Sequence, residues 1–188
     1  SRLLDDTVNE IFILNPGTHQ IIEANGKASQ NLNYTLDELS SIRFNEIFLD
    51  LSQDELSEKL QNLVNKKQAQ VSFENRHKRK DGSSYPVEVR IQYLEIEEPP
   101  LIYAIVEDIS DKKAMEEHIR QMAFYDSLTK LPNRNLIKDR LEIMLARALR
   151  TKTKVAILFM GLDSFKAVND SLGHQAGDQF LTQVAHRF

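Results

Sequence analysis

The chain has no cysteine and no tryptophan. Without a thiol there is no disulfide, no thiolate metal site, no cysteine nucleophile and no cysteinyl-flavin photochemistry. A reducing cytoplasm is the expected compartment. No apolar run approaches the roughly 20 residues of a membrane-spanning helix, and no secretory signal is visible, so no membrane contact is expected in this segment. An excess of positive charge is also missing. The 24 Lys and Arg are outnumbered by 28 Asp and Glu, giving a net charge of -4, so a nucleic-acid surface is not expected. The initiator methionine is missing too, since the chain starts Ser1-Arg2. It therefore reads as a piece of something longer, which leaves upstream membrane anchors or receiver domains open.

What is present suffices for one or two folded domains. The chain has 188 residues, of which 41% are hydrophobic and 28% charged, ordinary values for a globular protein. Leu3 to Val8 reads as a short helix entry. Glu10 to Leu14 is a β-rich run, closed by the turn Asn15-Pro16-Gly17, and Gln20 to Ala24 completes a hairpin. Helical text follows from Asn25, with Ala28, Leu32 and Leu36 at helical spacing. Thr35 with Glu38, and Ser52 with Glu55, are capping-box patterns. The second opens a helix over Ser52 to Lys66 with a stripe of Leu56, Leu60, Leu63 and Val64. The period then changes to two. Gln70 to Lys78 and Tyr85 to Ile96 predict two strands around Lys80-Asp81-Gly82-Ser83, and Leu101 to Val106 a third. The first 110 residues thus predict one α+β domain around an antiparallel sheet.

Asp111 to Ala123 turns helical and charged. Met115, Ile119 and Met122 are spaced four and three residues apart, an a/d-like seam. Such a seam suits a parallel dimer; the other reading is a helix packed on its own domain. Leu136 to Arg150 predicts an amphipathic helix with Ile137, Leu141, Met144, Leu145 and Ala148 inward. Lys154 to Met160 is a continuous apolar run that suits a strand buried on both faces. Asp178 to Phe188 is helical again, with Phe180, Leu181, Val184 and Ala185 apolar.

Several dispersed pieces carry a resemblance. Ile11 to Asn15, Ile22 to Asn25, Asn33 to Leu39, Arg79 to Ser83 and Glu107 to Asp111, in that order and spacing, resemble a PAS domain with its PAC half. Asp126-Ser127-Leu128-Thr129-Lys130-Leu131-Pro132-Asn133-Arg134 resembles the entry motif of a GGDEF domain, with Lys130 where glycine is usual. Phe159 to Lys166 resembles that family's strand-end motif, and Asn169 to His174 with Gly177-Asp178 its nucleotide-binding helices. The implied organisation is a PAS/PAC sensor over 1–110, a linker helix over 111–125 and the front part of a GGDEF domain over 126–188. The implied fold is α+β: a PAS fold with a five-stranded antiparallel sheet and flanking helices, then the linker helix and a partial α/β fragment.

The resemblance also implies chemistry. GGDEF cyclases condense two GTP molecules using Mg²⁺ held by acidic residues, because hard oxygen ligands and divalent metal neutralise a triphosphate. One of those acids sits at the strand end, where this chain has Gly161. Asp163 lies two residues on, and the backbone carbonyl of Leu162 remains as a metal contact. The signature loop that would supply the second acid is expected beyond Phe188. No catalytic residue is therefore assigned, and no cofactor to this segment; Mg²⁺ and GTP belong to a longer parent. Asn169 and Asp178 would read guanine, the carboxylate suiting the N1–H and N2–H donors, while Phe165 and Lys166 would lie near the phosphates. The alternative is that Asn169 and Asp178 cap helices. The sensor half implies a small-molecule ligand of unknown identity. No histidine falls on Ser52 to Lys66, where haem-binding members place one. The basic run Lys78-Arg79-Lys80 after His77 reads as a solvated hairpin end, and Phe44, Phe48, Leu60 and Phe73 as core. The implied assembly is a homodimer through the PAS domain and the linker helix. The reading is thus a sensory module of cyclic-di-GMP signalling with a metal-deficient output domain; the alternative is part of a working diguanylate cyclase or of a GGDEF-EAL phosphodiesterase.

Overall fold

The structure, a computed structural model, describes residues 7–65, 68–95 and 99–187. The chain divides into two compact units, Ser1–Lys113 and Ala114–Phe188.

The first unit is a five-stranded antiparallel sheet with helices on one side. β1 (Glu10–Leu14) pairs with β2 (Ile21–Ala24) and with β5 (Leu101–Asp108); β5 pairs with β4 (Ser84–Leu94), and β4 with β3 (Val71–Lys78), giving the order β2-β1-β5-β4-β3. The β3–β4 turn forms where Asp81-Gly82 predicts it. Gly82 takes a φ of 86°, open to glycine without strain, and Arg79 N–H donates to the Ser83 carbonyl at 2.7 Å. Along β4 burial alternates, with Tyr85, Val87, Val89 and Ile91 inward, as a sheet with one covered face requires.

Between β2 and β3 lie α1 (Gly26–Leu32), α2 (Leu36–Leu39), a 3-10 turn (Phe44–Ile47) and α3 (Gln53–Val64). Both capping boxes form, at Thr35 with Glu38 and at Ser52 with Glu55. Leu56, Leu60 and Leu63 are buried along α3. The spacing of Leu36 with Ala28 and Leu32 does not survive: Asn33 turns left-handed at φ 60° and ends α1, so Leu36 opens a separate helix and is exposed. The core lies between sheet and helices. Phe12 and Phe44 are wholly buried with ring centroids 5.2 Å apart, and Phe48 meets Phe44 at 5.0 Å. Leu60 is buried and Phe73 packs at the core's margin. Of the expected helix entry, Leu3 and Leu4 lie outside the described residues, as do Lys66 and Ile96 at the ends of a predicted helix and strand; Val8 sits in a bend and is exposed.

α4 (Ser110–Phe124) follows β5 directly. Beyond it the second unit holds α5 (Arg134–Thr151), α6 (Phe165–Leu172) and α7 (His174–Ala185). Two expectations fail here. Lys154 to Met160 forms no strand, and Phe159 is 94% exposed. A strand gains ladder energy only beside another strand, and no other described segment of this unit forms a strand. Among the described residues the apolar face of α5 is left largely uncovered: Ile137, Met144 and Leu145 are exposed, Leu141 is half-buried and Ala148 is buried. Phe188, the end of the last predicted helix, lies outside the described residues.

Candidate functional site

The sheet domain encloses a polar cluster that sequence reasoning missed. Glu10 and His77 are both fully buried, 67 residues apart in sequence, with His77 Nδ1 3.1 Å from Glu10 Oε2. Tyr85 OH donates to Glu10 Oε1 at 2.6 Å, and Asn31 Nδ2 donates to the same oxygen at 2.9 Å. A buried carboxylate is costly unless donors converge on it, and here three side chains do. Burial, foremost, and the adjacent Glu10 carboxylate push the Tyr85 hydroxyl far above the usual phenol range. His77 Nε2 is buried without a hydrogen-bond partner among the described residues, and the imidazole lies edge-on to the Phe12 and Phe48 rings, at centroid distances of 6.2 and 4.8 Å. The run after His77 is only partly a solvated hairpin end. Arg79 lies 4.2 Å over the Tyr85 ring and donates from Nε to the Asn31 carbonyl.

A second feature is the exit from the sheet. Ile109 is buried, and its N–H donates to the Pro86 carbonyl at 3.1 Å. Asp108 Oδ1 accepts from Ser110 N–H, which starts α4, and Lys113 pairs with Glu74 of β3 at 2.7 Å. The first turn of α4 is thus tied to both β4 and β3. Further along, Met115, Ile119 and Met122 are 60%, 55% and 63% exposed. Arg120 donates to Glu117 at 2.7 Å, holding the Glu117 carboxyl down at about 2.

The segment Asp126 to Arg134 is a folded connector. Asp126 Oδ1 accepts from the N–H groups of Leu128 and Thr129 and from the Thr129 hydroxyl; the first of these causes, the Thr129 N–H, holds its carboxyl below the usual range. Asn133 caps α5 through Asn135 N–H and Leu136 N–H, and its amide donates to the Ala123 carbonyl. Lys130 takes a left-handed φ of 60°, a conformation that costs a side chain roughly 1 kcal/mol or more and glycine nothing. Lys130→Gly is therefore expected to stabilise this connector by about 1 kcal/mol, read as a rise in the unfolding temperature; an unchanged or lower value contradicts it.

The residues proposed for guanine lie on the last two helices. Asn169 is half-buried on α6 and Asp178 is exposed on α7. Neither caps a helix, because α6 begins after Ser164 and α7 after Gly173. Asn169 Oδ1 lies 1.8 Å from the point where a Cβ on Gly177 would sit, so the amide rests on the α7 backbone beside Asp178. Phe165 stacks on Phe180 at 6.2 Å, a packing contact between the helices, while Lys166 is exposed. Gly161 has open space where a Cβ would go, and Leu162 and Asp163 are exposed. Among the described residues no three His, Asp or Glu side chains converge as a metal site. In this stretch Gly161 carries no carboxylate, Leu162 offers a backbone oxygen and Asp163 a carboxylate. No described helix is long and apolar enough to cross a membrane.

Comparison with known proteins divides the chain in the same way. Residues 9–111 match the family model for the PAS domain, and residues 123–188 match the model described as diguanylate cyclase, GGDEF domain. The bifunctional diguanylate cyclase/cyclic di-GMP phosphodiesterase MucR of Pseudomonas aeruginosa is 55% identical over 67 residues, 36% of this chain and 10% of that protein. The probable diguanylate cyclase DgcE of Escherichia coli is 35% identical over 108 residues, 56% of this chain and 10% of that protein. The chain therefore spans about a tenth of the length of these relatives. Among solved structures, the PAS domain of a Desulfitobacterium hafniense protein superposes with a TM-score of 0.50 at 25% identity, covering 57% of this chain and 99% of that one.

Proposed function

This chain belongs to the PAS domain family and continues into a GGDEF region, and from that premise we propose that it is the sensory and dimerising module of a bacterial, cytoplasmic cyclic di-GMP signalling protein. The observation that carries this reading is α4. It leaves the sheet through the buried Ile109, is clamped to β3 by Lys113 and Glu74, and then presents Met115, Ile119 and Met122 to solvent. An apolar seam on a charged helix is stabilised by a second copy of itself. A change in sheet packing moves the first turn of α4, and a dimeric helix pair carries that movement to the output region as a change in register or crossing. A small molecule bound between sheet and helices is the input this reading requires.

In the output region Asn169 and Asp178 read guanine and the chain's own residues leave the metal side deficient, so the region acts as a nucleotide-responsive regulator. A second reading, a working cyclase or phosphodiesterase once the chain is complete, is favoured by the 55% identity to MucR. GTP turnover and cyclic di-GMP hydrolysis by the protein, read through to the end of its open reading frame, separate the two. The expected result is no measurable cyclic di-GMP from the native form. Gly161→Asp, for which there is steric room, is the reference that restores the missing carboxylate. Substantial turnover by the native form contradicts the regulatory reading.

A further inference from the structure

Gly177 sits inside α7 with no turn to make. Its φ is not in the positive range where glycine alone is at ease, and a glycine within a helix costs about 1 kcal/mol relative to alanine. The backbone of α7 therefore gives no reason for it. The reason lies across the helix pair. A Cβ at this position would meet Asn169 Oδ1 at 1.8 Å, Asn169 Cγ at 2.9 Å and Phe165 Cζ at 3.4 Å. Real side chains do not approach so closely, and the nearest atoms are those of the Asn169 amide rather than of the α6 backbone. The missing methyl is thus filled by one functional group. The side chain so placed belongs to a residue that caps nothing, and Gly177 is the immediate neighbour of Asp178.

We infer that Gly177 is a positioning residue for base recognition: its absent Cβ is the seat of the Asn169 amide, which it holds on α7 next to the Asp178 carboxylate so that one amide and one acid face a guanine edge together. The inference rests on the reading of Asn169 and Asp178 as guanine-recognising groups. The chemistry explains why two different helices must be locked together. A carboxylate supplies acceptors for the N1–H and N2–H of guanine but no donor for O6 or N7, whereas an amide supplies a donor. A preference for guanine over adenine requires both at a set separation. A buried or half-buried amide free to rotate loses most of that discrimination, because the unpaired alternative becomes accessible.

The test is made in the protein read through to the end of its open reading frame, with GTP and ATP as probes. Native protein is expected to prefer GTP. Gly177→Ala and Asn169→Ala should each reduce that preference about tenfold, the worth of one hydrogen bond at a base edge, and the double variant should lose no more than either alone. The side-chain amide signals of Asn169 in NMR spectra should be dispersed in the native protein and move towards random-coil positions in Gly177→Ala. Gln179 neighbours the site, so the control for lost helix stability is Gln183→Gly, an exposed position further along α7, which should leave the preference intact. Loss of preference in Asn169→Ala but not in Gly177→Ala overturns the positioning role and leaves the guanine reading standing. Equal loss in Gln183→Gly overturns it in favour of plain helix stability. A native protein with no preference for GTP overturns the guanine reading and this inference with it.

Discussion

Glu10→Ala is expected to destabilise the sheet domain by about 3–5 kcal/mol, the cost of leaving several buried hydrogen-bonding groups unsatisfied at roughly 1–3 kcal/mol each. The size follows from what stays behind. His77, Tyr85 and Asn31 all direct polar atoms at the Glu10 carboxylate, at 3.1, 2.6 and 2.9 Å. With the acceptor gone, these groups are left in a site that water does not reach, and an unmade buried hydrogen bond costs more than a made one contributes. The loss is also distributed. Glu10 lies on β1, Asn31 at the end of α1, His77 on β3 and Tyr85 on β4, so the carboxylate joins the two sides of the sheet through groups distant in sequence. Glu10→Gln keeps an acceptor for Tyr85 and is expected to cost less than half as much. Urea unfolding followed by far-ultraviolet circular dichroism measures both; equal and small effects contradict the account. The same cluster has an alkaline signature. Because the folded Tyr85 hydroxyl holds its proton far more tightly than the unfolded one, its contribution is complete below the free phenol value of about 10 and is lost as pH rises above that value. Tyr85→Phe removes this alkaline loss.

How much of this was legible in the sequence differs between the two units. Asp81-Gly82 announced its hairpin, and both capping boxes announced their helices, because those signals are local: a φ above zero at Gly82 and an N–H at Glu38 or Glu55 are satisfied within four residues. The Glu10 cluster was not read, since its partners are 67 and 75 residues away and each looks polar and exposed alone. The signal that finds it is parity. Side chains two apart on a strand share a face, so Glu10 falls with Phe12 and Leu14, and His77 with Val71 and Phe73. The second unit fails in the opposite direction. Val155 to Met160 has the composition of a central strand, yet composition cannot provide the neighbour that a strand needs, and the run stays unpaired. The apolar face predicted for α5 is likewise left largely uncovered among the described residues. At the α6–α7 pair, the motif pointed to Asn169 and Asp178, but the fit of Asn169 against Gly177 is a contact between helices that no spacing rule contains.

The other large effect concerns the seam on α4. Met115, Ile119 and Met122 are each more than half exposed, and the ion pairing of Arg120 with Glu117 keeps the flanking positions charged and helical. In a dimer these three side chains form the knobs of a short two-stranded seam, and an aspartate at the central one puts two like charges against each other in an apolar contact. Ile119→Asp is therefore expected to weaken self-association by at least tenfold without unfolding the sheet domain, which ends its own core at Ile109. Light scattering across a concentration series measures this self-association. The account predicts a dimer for the native chain that Ile119→Asp and Met115→Asp convert to monomer; a native chain that stays monomeric at high concentration, unaffected by either substitution, would contradict it.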